Sequence, residues 1–97
     1  MIKVSRFDVA DYLKTKEDIA CYLECVLEEN DQELLIKTIG DILRSEGYAK
    51  IAKQTNETRQ GLYKSFSGKV KPKFETVYKT LDSLGLRFSV VPKGNII

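Results

Sequence analysis

The sequence predicts an all-α fold with a short β-strand near its C-terminal end, on three observations. Apolar residues recur at helical spacing in three separate segments, residues 19–27, 34–43 and 74–84. Two shorter helices joined by a tight turn fit between the second and third of these. The closing run "LRFSVV", residues 86–91, alternates Leu86, Phe88 and Val90 with Arg87, Ser89 and Val91, the period of a strand half exposed to water. Ninety-seven residues make one domain by size, with room for a modest core but not for a cleft between two lobes.

Taken in order, "IKVS" can form a short strand, and Asp8 is a fair N-cap for one or two helical turns. Thr15 followed by Asp18 has the spacing of a capping box, with Asp in place of the usual Glu or Gln. Ile19, Tyr22, Leu23, Val26 and Leu27 then line one helical face, with Glu24, Glu28 and Glu29 away from it. Asn30 or Asp31 begins a second helix whose stripe is Leu34, Leu35, Thr38, Ile39, Ile42 and Leu43, and Gly47 is placed to end it in the left-handed conformation. Two short helices follow, over residues 49–55 and 59–66, with "NET" between them and Gly68 ending the second. "KVKPK" makes a basic loop. Phe74, Val77, Tyr78, Leu81 and Leu84 mark a last helix, stopped by Gly85, and Pro92 closes the strand.

Hydrophobic residues at 42% and charged residues at 31% are the balance of a soluble globular protein. No apolar run approaches the roughly 20 residues of a membrane span. "MIKVSRFDVADYL" lacks the continuous apolar stretch of a signal peptide, so a cytoplasmic protein is expected. Cys21 and Cys25 are four apart on a helix, where Cβ atoms lie roughly 5–6 Å apart, while a disulfide needs about 3.8 Å. With no histidine in the chain to complete a metal site, both are expected to be buried or half-buried free thiols. The net charge of +2 hides a division. Residues 1–47 hold six Lys/Arg against eleven Asp/Glu, and residues 48–97 hold ten against three, so the second half alone suits a polyanion.

The stretch "YAKIAKQTNETRQGLYKSFSG", residues 48–68, has the spacing of a helix-turn-helix. Ala52 is the small residue needed where one helix crosses the other, and Ile51 before it faces the core. Asn56 occupies the turn position that requires a left-handed backbone, and asparagine tolerates it best after glycine. Thr58 supplies an N-cap oxygen for the second helix. Leu62 and Phe66, four apart, anchor that helix inward and leave Arg59, Gln60, Tyr63 and Lys64 outward. Arginine and glutamine make bidentate contacts to guanine and adenine edges, and the first turn of a recognition helix is where bases are read. Lys69, Lys71 and Lys73 in the following loop can clamp phosphates. Tyr48 either touches a phosphate or packs. Glu57, the one acidic residue between positions 48 and 73, falls in the turn. Gly61 costs about 1 kcal/mol inside a helix relative to alanine. It is either a place of close approach, to DNA or to a neighbouring helix, or a tolerated cost.

Four stretches together, "FDVADYLKTKEDIACYLECVLEEND", "LLIKTIGDILRSEGYAKIAKQT", "TRQGLYKSFSG" and "PKFETVYKTLDSLGLRFSVVP", resemble the addiction-module antidote proteins. These are small HigA-like antitoxins of the lambda-repressor-like, Xre-type helix-turn-helix superfamily. The resemblance runs from about residue 7 to residue 92. It implies a five-helix repressor-type fold with an N-terminal extension, and a homodimer that neutralises a RelE/HigB-like toxin, an mRNA endonuclease dependent on the ribosome. It also implies repression of the shared operon. Carried across by position, Thr58, Arg59, Gln60, Tyr63 and Lys64 meet the major groove of double-stranded DNA. Asn56 departs from the family's glycine at the turn, and Thr55 is less apolar than is usual before it.

The expected organisation is then an N-terminal extension over residues 1–30 packed on the main domain, a helix-turn-helix DNA-binding domain over 31–85, and a strand and tail over 86–97. A toxin that engages RNA is expected to be basic, which makes the acidic half a docking surface. The candidates are Asp8, Asp11, Glu17, Asp18, Glu24 and Glu28, for any of which a solvated acidic face kept for solubility is the other reading. The strand edge would pair with "IKVS" or with its copy in a second subunit, and a dimer would match a palindromic operator. Two alternatives stay open: a solitary phage-type repressor, and a toxin-sequestering protein that does not bind DNA. No Gly-rich phosphate loop and no placed carboxylate pair point to an enzyme, and no cofactor is implied.

Overall fold

The computed structural model describes residues 13–93. Among these residues are five helices: α1 (Lys16–Leu27), α2 (Gln32–Glu46), α3 (Tyr48–Thr55), α4 (Arg59–Ser65) and α5 (Phe74–Ser83). The capping box opens α1. The Thr15 hydroxyl accepts from the Asp18 N–H at 3.1 Å, and Asp18 Oδ2 accepts from the N–H groups of Thr15 at 3.2 Å and Lys14 at 3.0 Å. The shorter aspartate therefore completes the capping box. Ile19, Leu23 and Val26 are buried, whereas Leu27 is exposed, so the apolar face is narrower than its residue types imply.

Asp31 is the N-cap of α2, its carboxylate accepting from the Leu34 N–H at 3.1 Å. Thr38, Ile39, Ile42 and Leu43 are buried along this helix. Gly40 is buried with them, with the backbone of Phe66, the C-cap of α4, lying against it. Gly47 has φ 98° and ψ 112°, positive as expected but outside the compact left-handed helical region. It joins two helices, its N–H donating to Leu43 at 2.7 Å and its carbonyl accepting from Ile51 at 3.3 Å.

The core lies where α2 meets the α3–turn–α4 unit, with Ile39, Ile42, Leu43, Ile51 and Leu62 almost wholly removed from water. Leu23 and Ile19 of α1 cover one side, and Leu84 after α5 covers another, with Val77, Leu81 and Leu86 packed against it. Burying a side chain of this size contributes roughly 1.5–3 kcal/mol, so each member of this cluster helps hold the helices together.

Three sequence expectations need correction. Residues 86–91 form no strand among the described residues. Alternation supplies a pattern of side chains, but a strand exists only through a paired backbone. The suggested partner "IKVS", like the Asp8 turn, lies outside the described residues. Leu86 instead tucks toward the core with its N–H on the Leu81 carbonyl at 3.0 Å, while Phe88, Val90 and Val91 stay exposed. Cys21 and Cys25 are free but exposed, because the inward face of α1 runs through 19, 23 and 26. Finally, α5 turns Val77, Thr80, Leu81 and Leu84 inward, leaving Phe74 and Tyr78 outside. Threonine at the centre of that face hid its register.

Candidate nucleic-acid interface

Two short helices and their turn place the sequence-predicted residues. Ile51 and Ala52 are buried in α3. Asn56 has φ 62° and ψ 30°, the left-handed conformation the turn needs, and its N–H closes α3 on the Ala52 carbonyl. Thr55, polar where an apolar side chain is usual, is buried with its hydroxyl satisfied. That hydroxyl donates to the Ile51 carbonyl at 2.9 Å. Both departures from the family pattern are thus met by local geometry.

Thr58 caps α4 with extended backbone, φ −89° and ψ 153°, and its hydroxyl accepts from the Gly61 N–H at 2.9 Å. Leu62 and Phe66 are 0% and 2% exposed. With that face fixed, Thr58, Arg59, Gln60, Tyr63 and Lys64 are all exposed together. The first turn of α4 carries no acidic residue, and its free N–H groups add positive potential there. A Cβ on Gly61 would meet only the Thr58 hydroxyl, at 2.7 Å. Among the described residues no neighbouring helix approaches it, which leaves close approach from outside or a tolerated cost.

After α4, the Ser67 hydroxyl donates to the Lys64 carbonyl at 2.9 Å and accepts from the Lys69 N–H at 3.3 Å, ordering the start of the basic loop. Lys69, Lys71 and Lys73 are exposed. Tyr48 is half-buried and its hydroxyl donates to the Gly40 carbonyl at 3.2 Å, so its one proton is already committed. Burial pushes this hydroxyl's pKa above 10, with the Arg44 guanidinium partly opposing the rise. The Tyr48 ring meets Tyr63 edge to face, with centroids 5.6 Å apart.

Sequence reading missed two basic residues. Lys37 and Arg44 of α2 line a cleft of about 510 Å³ together with Tyr48, Tyr63, Lys64 and Lys69. They are seven apart, hence on one face of α2, but nothing in their spacing says that this face looks toward α4. Of the acidic candidates, Glu17, Asp18, Glu24 and Glu28 are exposed on α1 and its C-cap. The Asp18 carboxylate is already occupied by the cap. Asp8 and Asp11 lie outside the described residues. Among the described residues, no helix is long and apolar enough to cross a membrane.

A protein-family model described as "Probable addiction module antidote protein" matches residues 3–92. The chain belongs to this antidote family. One relative, an uncharacterized protein of Haemophilus influenzae, is 42% identical over 84 residues, spanning 87% of each chain. A disease resistance protein of Arabidopsis thaliana is 40% identical over 63 residues, which cover 64% of this chain but 6% of that protein, a local likeness. No solved structure gives a significant match. Membership of the antidote family implies a toxin partner and suggests a regulatory role.

Proposed function

We propose that this antidote-family protein neutralises a RelE/HigB-like mRNA endonuclease and represses its own operon, binding operator DNA as a homodimer through α4. The observation that carries the DNA half of this reading is the sidedness of α4. Leu62 and Phe66 are buried, and Arg59, Gln60, Tyr63 and Lys64 stand outward behind a Thr58 cap. Base reading falls to Arg59 and Gln60 in the first turn, with Lys69, Lys71 and Lys73 on phosphates.

The exposed acidic face of α1, with Glu17, Glu24 and Glu28, supports docking of a basic toxin. Self-association is supported by an exposed aromatic group. Phe74, Tyr78 and Phe88 have centroids 5.4–6.0 Å apart and are 68%, 53% and 43% exposed, a cluster that water disfavours. A two-fold dimer would present two copies of α4 to a palindrome. Its place of action is then the cytoplasm, on the nucleoid when bound to DNA.

A gel shift with the DNA upstream of the gene tests the repressor role. A retarded band that weakens steeply as salt rises is expected. No band at low salt, with toxin binding intact, would leave sequestration alone. Co-purification with the product of the adjoining small basic reading frame tests the toxin half.

A further inference from the structure

We propose that the cleft between α2 and α4 seats the sugar–phosphate backbone of one DNA strand, with Lys37 and Arg44 as phosphate-contacting residues beside Lys64 and Lys69. This rests on the reading of α4 as a major-groove helix. The groove of B-DNA is about 12 Å wide, and a helix with its side chains is roughly 10–12 Å across. Strand backbones must therefore run along both flanks of an inserted helix. One flank of α4 opens directly into this cleft, because Tyr63 and Lys64 belong both to its outward face and to the cleft wall.

The charge is right for that occupant. Among the described residues, four cations converge from α2, α4 and the following loop, against one acid, Asp41. Asp41 pairs with Arg44 at 3.1 Å. A second cleft of about 490 Å³, between the end of α3 and α5, is lined by one lysine, Lys79, and one aspartate, Asp82, and has no such bias.

Lys37 is also held in place. A Cβ on Gly68 would lie 2.9, 3.5 and 3.8 Å from Cε, Cγ and Cδ of Lys37, so the lysine stem lies across the bare backbone of that glycine. Gly68 itself has φ 93°, which a side chain would strain. Tyr48, its proton committed to Gly40, adds an aromatic wall for the sugar rather than a donor.

The test measures affinity against salt for operator duplex and for an unrelated duplex of equal length. Lys37→Gln, which keeps much of the stem, and Arg44→Gln should each weaken both duplexes by the same factor. Each should also lower the slope of log K against log salt by about 0.9, one phosphate contact. Lys79→Gln changes net charge equally at the other cleft and should leave the slope at the wild-type value. Unchanged slopes for Lys37→Gln and Arg44→Gln, in variants that melt like wild type, overturn the proposal while the DNA reading survives. So does a slope change seen with single-stranded RNA and absent with duplex DNA. A wild-type protein that binds neither duplex at low salt sinks the DNA reading and this inference with it.

Discussion

Replacing Gly40 with alanine places a methyl group 2.5 Å from the Phe66 carbonyl oxygen and 3.4 Å from Phe66 Cβ. Favourable carbon–oxygen contacts begin at about 3.3 Å, so the end of α4 would have to retreat from α2 by roughly 0.8 Å. The obstacle is backbone at the C-cap of α4, which cannot rotate aside as a flexible side chain would. Overpacking a core costs about 1–3 kcal/mol, and a backbone obstacle belongs at the upper end. Alanine returns about 1 kcal/mol in helix propensity. The net loss is about 2 kcal/mol, which for a chain of this size lowers the melting temperature by roughly 8–16 °C. Phe66 anchors α4, the proposed reading helix, so the same displacement should weaken operator binding more than binding to unrelated DNA. Thermal melting and anisotropy titrations on Gly40→Ala measure both. A variant that melts with wild type and binds its operator equally well would refute the close α2–α4 crossing, and with it the positioning of α4.

Gly61→Ala should separate folding from binding: it gains up to about 1 kcal/mol of helix stability, moderated by crowding of the Thr58 hydroxyl at 2.7 Å. A melt should show equal or greater stability and a gel shift weaker binding; unchanged binding means that nothing approaches Gly61. Thr80→Val removes a fully buried hydroxyl that has no hydrogen-bond partner among the described residues. It should stabilise the protein by about 1 kcal/mol in urea denaturation, and a loss of stability would show that the hydroxyl is satisfied. Arg59→Ala should cost about 1–3 kcal/mol at one base position and relax specificity there; an equal loss on every sequence would place Arg59 on phosphate. Tyr48 titrates above its ordinary value of 10.0 because burial disfavours the phenolate. Its contribution is therefore complete below pH 10 and declines as pH rises through the higher folded value. The stability gap between wild type and Tyr48→Phe, about 0.5–1.5 kcal/mol for the lost hydrogen bond, should hold constant to pH 10 and shrink beyond it. A gap that stays level there would mean that folding does not raise this pKa.

What the sequence determined by itself is what depends on neighbours within about four residues. The Thr15–Asp18 cap, the Asp31 and Thr58 caps and the left-handed Asn56 are of this kind. So is the pairing of Leu62 with Phe66 that turns Arg59 and Gln60 outward. Such features follow from helix geometry and side-chain chemistry alone, whatever packs alongside. Tertiary structure decided which arc of each helix meets a neighbour. Period 3.6 gives several adjacent arcs nearly the same apolar score, and the crossing chooses among them. Hence Thr80 rather than Tyr78 faces inward, and Cys21 and Cys25 face out. The same crossing, made close by the missing side chain at Gly40, brings Lys37 and Arg44 to Lys64 and Lys69. No local spacing records that meeting, because its partners lie on segments joined only through the core. The strand shows the complementary limit, since alternation can prepare a surface for pairing but cannot supply the backbone to pair with.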